Sequence, residues 1–161
     1  MRVNGSETPA LLARLRWWHI DEVLAIEQSV FGQQPWSVEQ LFAELAGVPD
    51  TRHYVVATTP GGVVLGYAGL AVSSGTAEVM TLAVAPERQG RGVGRAMLSA
   101  LLDQAARRRV HEVFLEARVD NEAALGLYES LGFAAISRRR DYYAPKVDGL
   151  VMRRRGQWEA S

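Results

Sequence analysis

The chain has 161 residues, 48% of them hydrophobic, which suits one domain with a proper core and is short for two. Its 18 basic and 18 acidic side chains cancel, so no global field draws it to nucleic acid or to a membrane. With no cysteine it has no disulfide, thiol nucleophile or thiolate metal site, and its three histidines, His19, His53 and His111, lack ligand spacing, so no metal is expected. No apolar run reaches the ~18 residues of a spanning helix, and the N-terminus has no signal-peptide core. The expected setting is a reducing cytoplasm.

Residues 1–10 are polar and are expected to fray, as are 156–161, which leaves 11–155 as the folded domain. Leu11 to Trp18 reads as a first strand with imperfect alternation. Ile20 to Phe31 repeats its apolar residues at helical spacing and stops at Gly32-Gln33-Gln34-Pro35. Ser37 is placed to cap a second helix running through Leu41 and Leu45 to Gly47. His53 to Thr58 and Val63 to Val72 form a predicted hairpin around Thr59-Pro60-Gly61-Gly62, and Thr76 to Val84 is the next strand. A helix faced by Val93, Met97, Ala100, Leu101 and Ala105 should close on Arg107 to Arg109, cations suited to a helix C-terminus. Val113 to Val119 is a strand, Asn121 to Leu131 a helix stopped by Gly132, and Phe133 to Arg138 a strand. A turn is predicted around Tyr142 to Val147, before a last strand from Leu150 to Arg154.

Between the strand ending at Val84 and the following helix lies a loop containing Gly90, Gly92 and Gly94. Glycines there allow close backbone approach, and the unpaired N–H groups that open the helix suit a pyrophosphate. The dinucleotide pattern G-x-G-x-x-G fails, because Arg95 or Met97 stands where the third glycine belongs. The nucleoside-triphosphatase loop fails as well, because the chain's one lysine is Lys146. In the strand from His111 to Val119, Val113, Leu115 and Ala117 point one way and Phe114, Glu116 and Arg118 the other. A carboxylate at Glu116, on a covered face, would need a purpose or a partner; the bland reading pairs it with Arg118 on a solvated face.

The loop Gln89-x-x-Gly92-x-Gly94 resembles the acetyl-CoA loop of the GCN5-related N-acetyltransferases (GNAT). Leu115-Glu116-Ala117-Arg118, Asn121, Leu127-Tyr128 and Gly132-Phe133 resemble the ribosomal-protein-alanine N-acetyltransferases (RimI type) of that superfamily. Pro35-Trp36-Ser37, Arg139-Arg140-x-Tyr142-Tyr143 and Asp148-Gly149-Leu150-Val151-Met152 extend the likeness to about residues 15 to 155. Val147 stands where such proteins commonly carry an acid, and Gly149 where alanine is usual.

The resemblance implies an α+β fold, a single GNAT-like domain whose mixed, mostly antiparallel twisted sheet of about seven strands has helices on both faces. It implies acetyl-CoA as co-substrate and the N-terminal α-amine of a protein as acceptor, with the alanine of a small-subunit ribosomal protein as the expected case and no nucleic acid or membrane as direct partner. It puts proton acceptance on Glu116 and proton donation on Tyr128. Coenzyme contacts fall on the backbone at Leu82, Ala83 and Val84, on Gln89, Gly90, Arg91, Gly92, Val93, Gly94 and Arg95, and on Asn121. Trp36, Tyr142 and Tyr143 would wall the acceptor cleft. Near neutrality an α-amine costs about 1 kcal/mol to deprotonate and a lysine about 4 to 5, which favours the α-amine for a single carboxylate. Transfer to lysine or to a small amine is one rival, and a non-catalytic CoA-binding module is another.

Overall fold

The computed structural model describes residues 10–32 and 35–156. The expectations for the two termini therefore fall outside it, Ala10 and Gly156 excepted, as do Gln33 and Gln34 of the first helix stop. Seven strands form one sheet: β1 (Leu11–Arg14), β2 (Arg52–Thr58), β3 (Val64–Ser73), β4 (Thr76–Val84), β5 (Glu112–Arg118), β6 (Ala134–Ala144) and β7 (Val147–Arg155). Their order is β1-β2-β3-β4-β5-β7-β6, antiparallel throughout except for β4 beside β5. The helices are α1 (Ile20–Val30), α2 (Val38–Ala46), α3 (Val93–Arg107) and α4 (Glu122–Ser130).

Strand alternation divides the core in two. Val55, Ala57, Ala68 and Leu70 meet Met97, Leu98, Leu101 and Leu102 of α3 on one face, and α4 adds Leu125, Leu127 and Tyr128 at the margin. Tyr54, Val56 and Tyr67 point to the other face, against Val23 and Ile26 of α1 and Leu41 of α2. Helices therefore cover both faces, as the α+β expectation requires. Ser37 caps α2 as its position implied, accepting from Gln40 N–H at 3.2 Å while its own N–H donates to the Gln40 side chain at 2.7 Å.

Three local expectations are corrected. The first strand ends at Arg14, and Trp17–His19 form a 3-10 turn with Trp17 and Trp18 exposed; these bulky side chains face solvent, so the broken alternation was the informative signal. Gly94 lies within α3, whose N-cap is Gly92. The turn expected at Tyr142 to Val147 shrinks to Pro145 and Lys146, because β6 runs on to Ala144 and β7 starts at Val147. The last matched pairs of that hairpin, Arg139 with Gly149 and Ala144 with Val147, leave Arg140 to Tyr143 opposite Asp148 alone. This wide bulge masked the strand's alternation.

A smaller bulge shapes the middle of the sheet. Leu70 pairs with Val79 but Gly69 with Thr81, so Met80 is the extra residue on β4. It inverts the facing of the strand: Ala77 and Val79 belong to the α3 side before it, Leu82 and Val84 after it.

Candidate functional site

Strands β4 and β5 pair only from Thr76 to Glu78, opposite Glu112 to Phe114, and then part. Ala85 N–H donates to the Leu65 carbonyl at 2.8 Å. By alternation along the ladder, Val84 and Leu82 turn their N–H and C=O groups away from β3 and into the gap, whereas Ala83 turns to its partner Tyr67. Two of the three expected strand contacts thus face the gap, and Ala83 faces the neighbouring strand.

The loop at the mouth of the gap is fixed from within. Pro86–Arg88 form a 3-10 turn, and Gln89 Nε2 donates to the Val84 carbonyl at 3.1 Å, tying the loop back to β4. Gly90 (φ 77°) and Gly92 (φ 85°) adopt left-handed backbone that other residues avoid, and a Cβ at either would meet no atom within 4 Å. Gly92 caps α3 without a side chain, so the first N–H groups of the helix, from Val93 to Arg95, stay available at the positive end of its dipole. A Cβ on Gly94 would stand 3.6 Å from both Leu127 and Val84, which seats the helix start between α4 and β4. Arg95 Nη2 donates to Ser130 Oγ at 3.0 Å and joins α3 to α4. Asn121 caps α4 by accepting from Ala124 N–H at 3.2 Å through its side-chain oxygen, which leaves the amide NH2 outside the cap.

Glu116 lies on β5 level with the parting of the strands, on the face away from α3. That face is an open cleft of about 590 Å³, lined among others by Arg52, Glu78, Met80, Phe114 and Val151. The Glu116 side chain is 27% exposed, and its partner is Arg139, at 3.3 Å, and not Arg118, which pairs with Asp120 at 2.9 Å. The bland expectation was thus right about an ion pair and wrong about its cation. Burial and the nearby Glu116 carboxylate both push Glu78 above the usual carboxylate range.

The bulge in β6 delivers the tyrosine pair here. Their rings meet edge to face at 5.0 Å, with Arg139 5.1 Å from the Tyr142 centroid and Arg118 5.6 Å from that of Tyr143. The Glu116 carboxylate, as acceptor and as a negative field, holds the Tyr142 phenol above its ordinary value. Burial, then Glu116, then Tyr142 and Tyr128 push Tyr143 up to about 12. Tyr128 packs its ring against Phe133 at 6.2 Å, and burial raises its phenol as well. Glu116 and Tyr128 thus both act on Tyr143. Trp36 packs 6.5 Å from Tyr54 at the junction of α1 and α2, on the cleft side of the sheet.

Three contributors were not singled out from sequence as parts of a site. Arg139 partners Glu116. Asp148 accepts from Asp141 N–H at 2.9 Å and from the Arg138 side chain, pinning the bulge. Gly149 gives the tyrosines room, since a Cβ there would stand 3.1 Å from each ring; the available signal was its departure from alanine. Among the described residues no group of His, Asp and Glu is placed to hold a metal ion, and no helix is long and apolar enough to cross a membrane.

Residues 13–133 match the model of the acetyltransferase (GNAT) family. The chain is 43% identical over 135 residues to the N-alpha-acetyltransferase RimI of Mycobacterium tuberculosis, covering 80% of this chain and 82% of the relative. It is 40% identical over 115 residues to the ribosomal protein bS18-alanine N-acetyltransferase of Escherichia coli, covering 71% and 74%. The crystal structure of the ribosomal-protein-S18-alanine N-acetyltransferase from Escherichia coli superimposes with a TM-score of 0.82 at 30% identity, over 95% of this chain and 97% of that one. Ard1 from Thermoplasma volcanium shares the fold at a TM-score of 0.83 and 23% identity, over 92% and 99%.

Proposed function

Because the chain belongs to the GNAT acetyltransferase family, we propose that it moves acetyl from acetyl-CoA to the N-terminal α-amine of a protein. The acceptor named for its Escherichia coli relative, the alanine of ribosomal protein bS18, is the acceptor class we assign to it. The observation that carries this reading is the position of Glu116, in an open cleft and level with the point where β4 leaves β5.

The residues present fit the coenzyme. Gly90 and Gly92 leave open the space a side chain would fill, and the α3 N-terminus supplies donors for a diphosphate. Gln89, Arg91, Val93, Gly94, Arg95 and Asn121 complete that half of the site. Bound there, acetyl-CoA supplies a thioester carbonyl open to attack and a thiolate as leaving group. The N–H groups of Leu82 and Val84, turned into the gap, are donors where negative charge grows on that carbonyl. Glu116 takes the proton of the attacking amine, directly or through one water. Tyr128, kept protonated by burial, gives a proton to the departing thiolate, whose thiol has a pKa of about 8.5. Trp36, Tyr142 and Tyr143 wall the acceptor. Transfer is direct, since no cysteine is present to carry the acetyl group.

The test is a mass-spectrometric assay with acetyl-CoA and alanine-first peptides whose α-amine is free or blocked and which also contain a lysine. Acetylation of the free N-terminus alone is expected. Transfer to lysine of the blocked peptide defeats the reading, and coenzyme binding without any transfer favours a regulatory module.

A further inference from the structure

Only one charged residue is buried among the described residues, Glu27 on α1, at 2% exposed. An unpaired carboxylate in such a place is strongly disfavoured, so its partners bear on what it is for. Oε1 accepts the backbone N–H of Trp36 at 3.0 Å, and Oε2 accepts the hydroxyl of Tyr67, which is 1% exposed on β3. The Tyr67 oxygen in turn accepts from Thr81 Oγ at 3.4 Å. Thr81, itself 9% exposed, directly follows the bulge residue Met80 and directly precedes Leu82, whose N–H enters the gap.

The chain of bonds therefore runs from the segment bearing Trp36 to the bulged part of β4. Holding α1 to the sheet does not require it, because Val23 and Ile26 already pack there. What the carboxylate adds is a fixed position for the backbone of residue 36, in the turn that leads to Ser37 and the cap of α2. A carboxylate accepting two hydrogen bonds is a rigid bridge, because hydrogen bonds to a charged group are shorter and stronger than those between neutral groups.

We propose that Glu27 is a positioning residue for the acceptor half of the site: through Trp36 N–H on one oxygen and Tyr67 and Thr81 on the other, it sets the distance between the Trp36 wall and the strand that presents the acyl group. This rests on the acceptor reading given above for Trp36. The coenzyme half, made by the glycine loop and the α3 N-terminus, contains none of these groups and should be indifferent to them.

The test compares Glu27→Ala, Glu27→Gln and Tyr67→Phe with the parent, by steady-state kinetics on a free-N-terminus peptide and by amide hydrogen exchange at residues 35–40. Losing one such bond, about 1.4 kcal/mol, corresponds to a tenfold change. In Glu27→Ala the KM for peptide should rise about tenfold or more, with kcat and the KM for acetyl-CoA within about twofold, and Trp36 amide exchange should quicken by a similar factor. Glu27→Gln, whose oxygen still accepts from Trp36 while its NH2 donates to Tyr67, should restore most of the loss. Tyr67→Phe removes a single oxygen, should raise the peptide KM several-fold, and carries the test if the alanine variant does not fold. Equal rises in both KM values, or an unchanged peptide KM in a folded variant, overturn the proposal. If the parent acetylates no peptide, the functional reading fails on its own account; the positioning claim then stands or falls on whether Trp36 exchange quickens.

Discussion

Arg139 Nη1 stands 3.3 Å from Glu116 Oε1 while the same guanidinium lies 5.1 Å from the Tyr142 ring centroid. One cation thus orients both the carboxylate at the parting of the strands and the first ring of the cleft wall. The pair is part-exposed, so its direct contribution to stability is at most about 1 kcal/mol; its consequence is to fix where the carboxylate points.

Replacing Glu116 by Gln keeps the shape and removes the base. With peptide as acceptor, kcat/KM should fall about 10²- to 10⁴-fold, the usual range for a positioned proton acceptor, with acetyl-CoA affinity unchanged. Stopped reactions followed by mass spectrometry measure the first quantity and calorimetric titration the second. A variant with near-parental turnover would move the base elsewhere in the cleft.

Tyr128→Phe removes the proposed proton donor and should lower kcat by about 10²-fold. The pH dependence follows from the sign of its shift. Burial raises the phenol above its ordinary value of about 10, so the neutral, donating form persists past that pH. The kcat profile of the parent should therefore show no falling limb assignable to Tyr128 below about pH 10. A falling limb near pH 8 to 9 that vanishes in the Phe variant would contradict this.

Much of this arrangement was legible in the sequence because local and global signals agreed. The spacing of Val113, Leu115 and Ala117 placed Glu116 on the opposite face, and all three are buried as expected. Gly90 and Gly92 marked the loop by the close backbone approach they allow, and both adopt left-handed backbone there. What could not be read was long-range. Local spacing offers Arg118, two positions along, as the partner of Glu116, whereas Arg139 arrives from β6 through a hairpin register that no local pattern encodes. The bulges at Met80 and at Arg140 to Tyr143 break the two-residue period by which strands are recognised, so the second of them read as a turn.

Gly149→Ala tests whether the tyrosine pair depends on its seat. The added Cβ would stand 3.1 Å from Tyr142 Cδ1 and Tyr143 Cε2, tighter than ordinary packing, and both rings must yield by a few tenths of an ångström. Peptide KM should rise several-fold with the KM for acetyl-CoA unchanged, and stability should fall by about 1 kcal/mol, the low end for overpacking, because Tyr142 is half-exposed. If crystals of the variant show the rings undisplaced, or if the coenzyme KM alone changes, Gly149 has no part in the acceptor wall.

Glu78 gives a pH-dependent prediction for stability. Burial first, and then repulsion from Glu116, raise its carboxyl above the ordinary glutamate value, while Arg52 and Arg139 oppose the shift. A folded pKa above the unfolded one means that the folded state holds more protons between the two, so stability falls as pH rises through that window. Below it the carboxyl is neutral in both states and contributes no difference. Glu78→Gln should thus stabilise the protein above the window and leave it unchanged near pH 4. The side chain is partly exposed and screened, which limits the gain to less than about 1 kcal/mol, or roughly 2 to 4 °C at most in Tm for a chain of this size. Thermal melts of parent and variant at pH 4 and pH 7.5 measure it. An equal difference at both pH values would mean that the substitution acts through packing, and a lower Tm for the variant at pH 7.5 would mean that Glu78 is held by a cation after all.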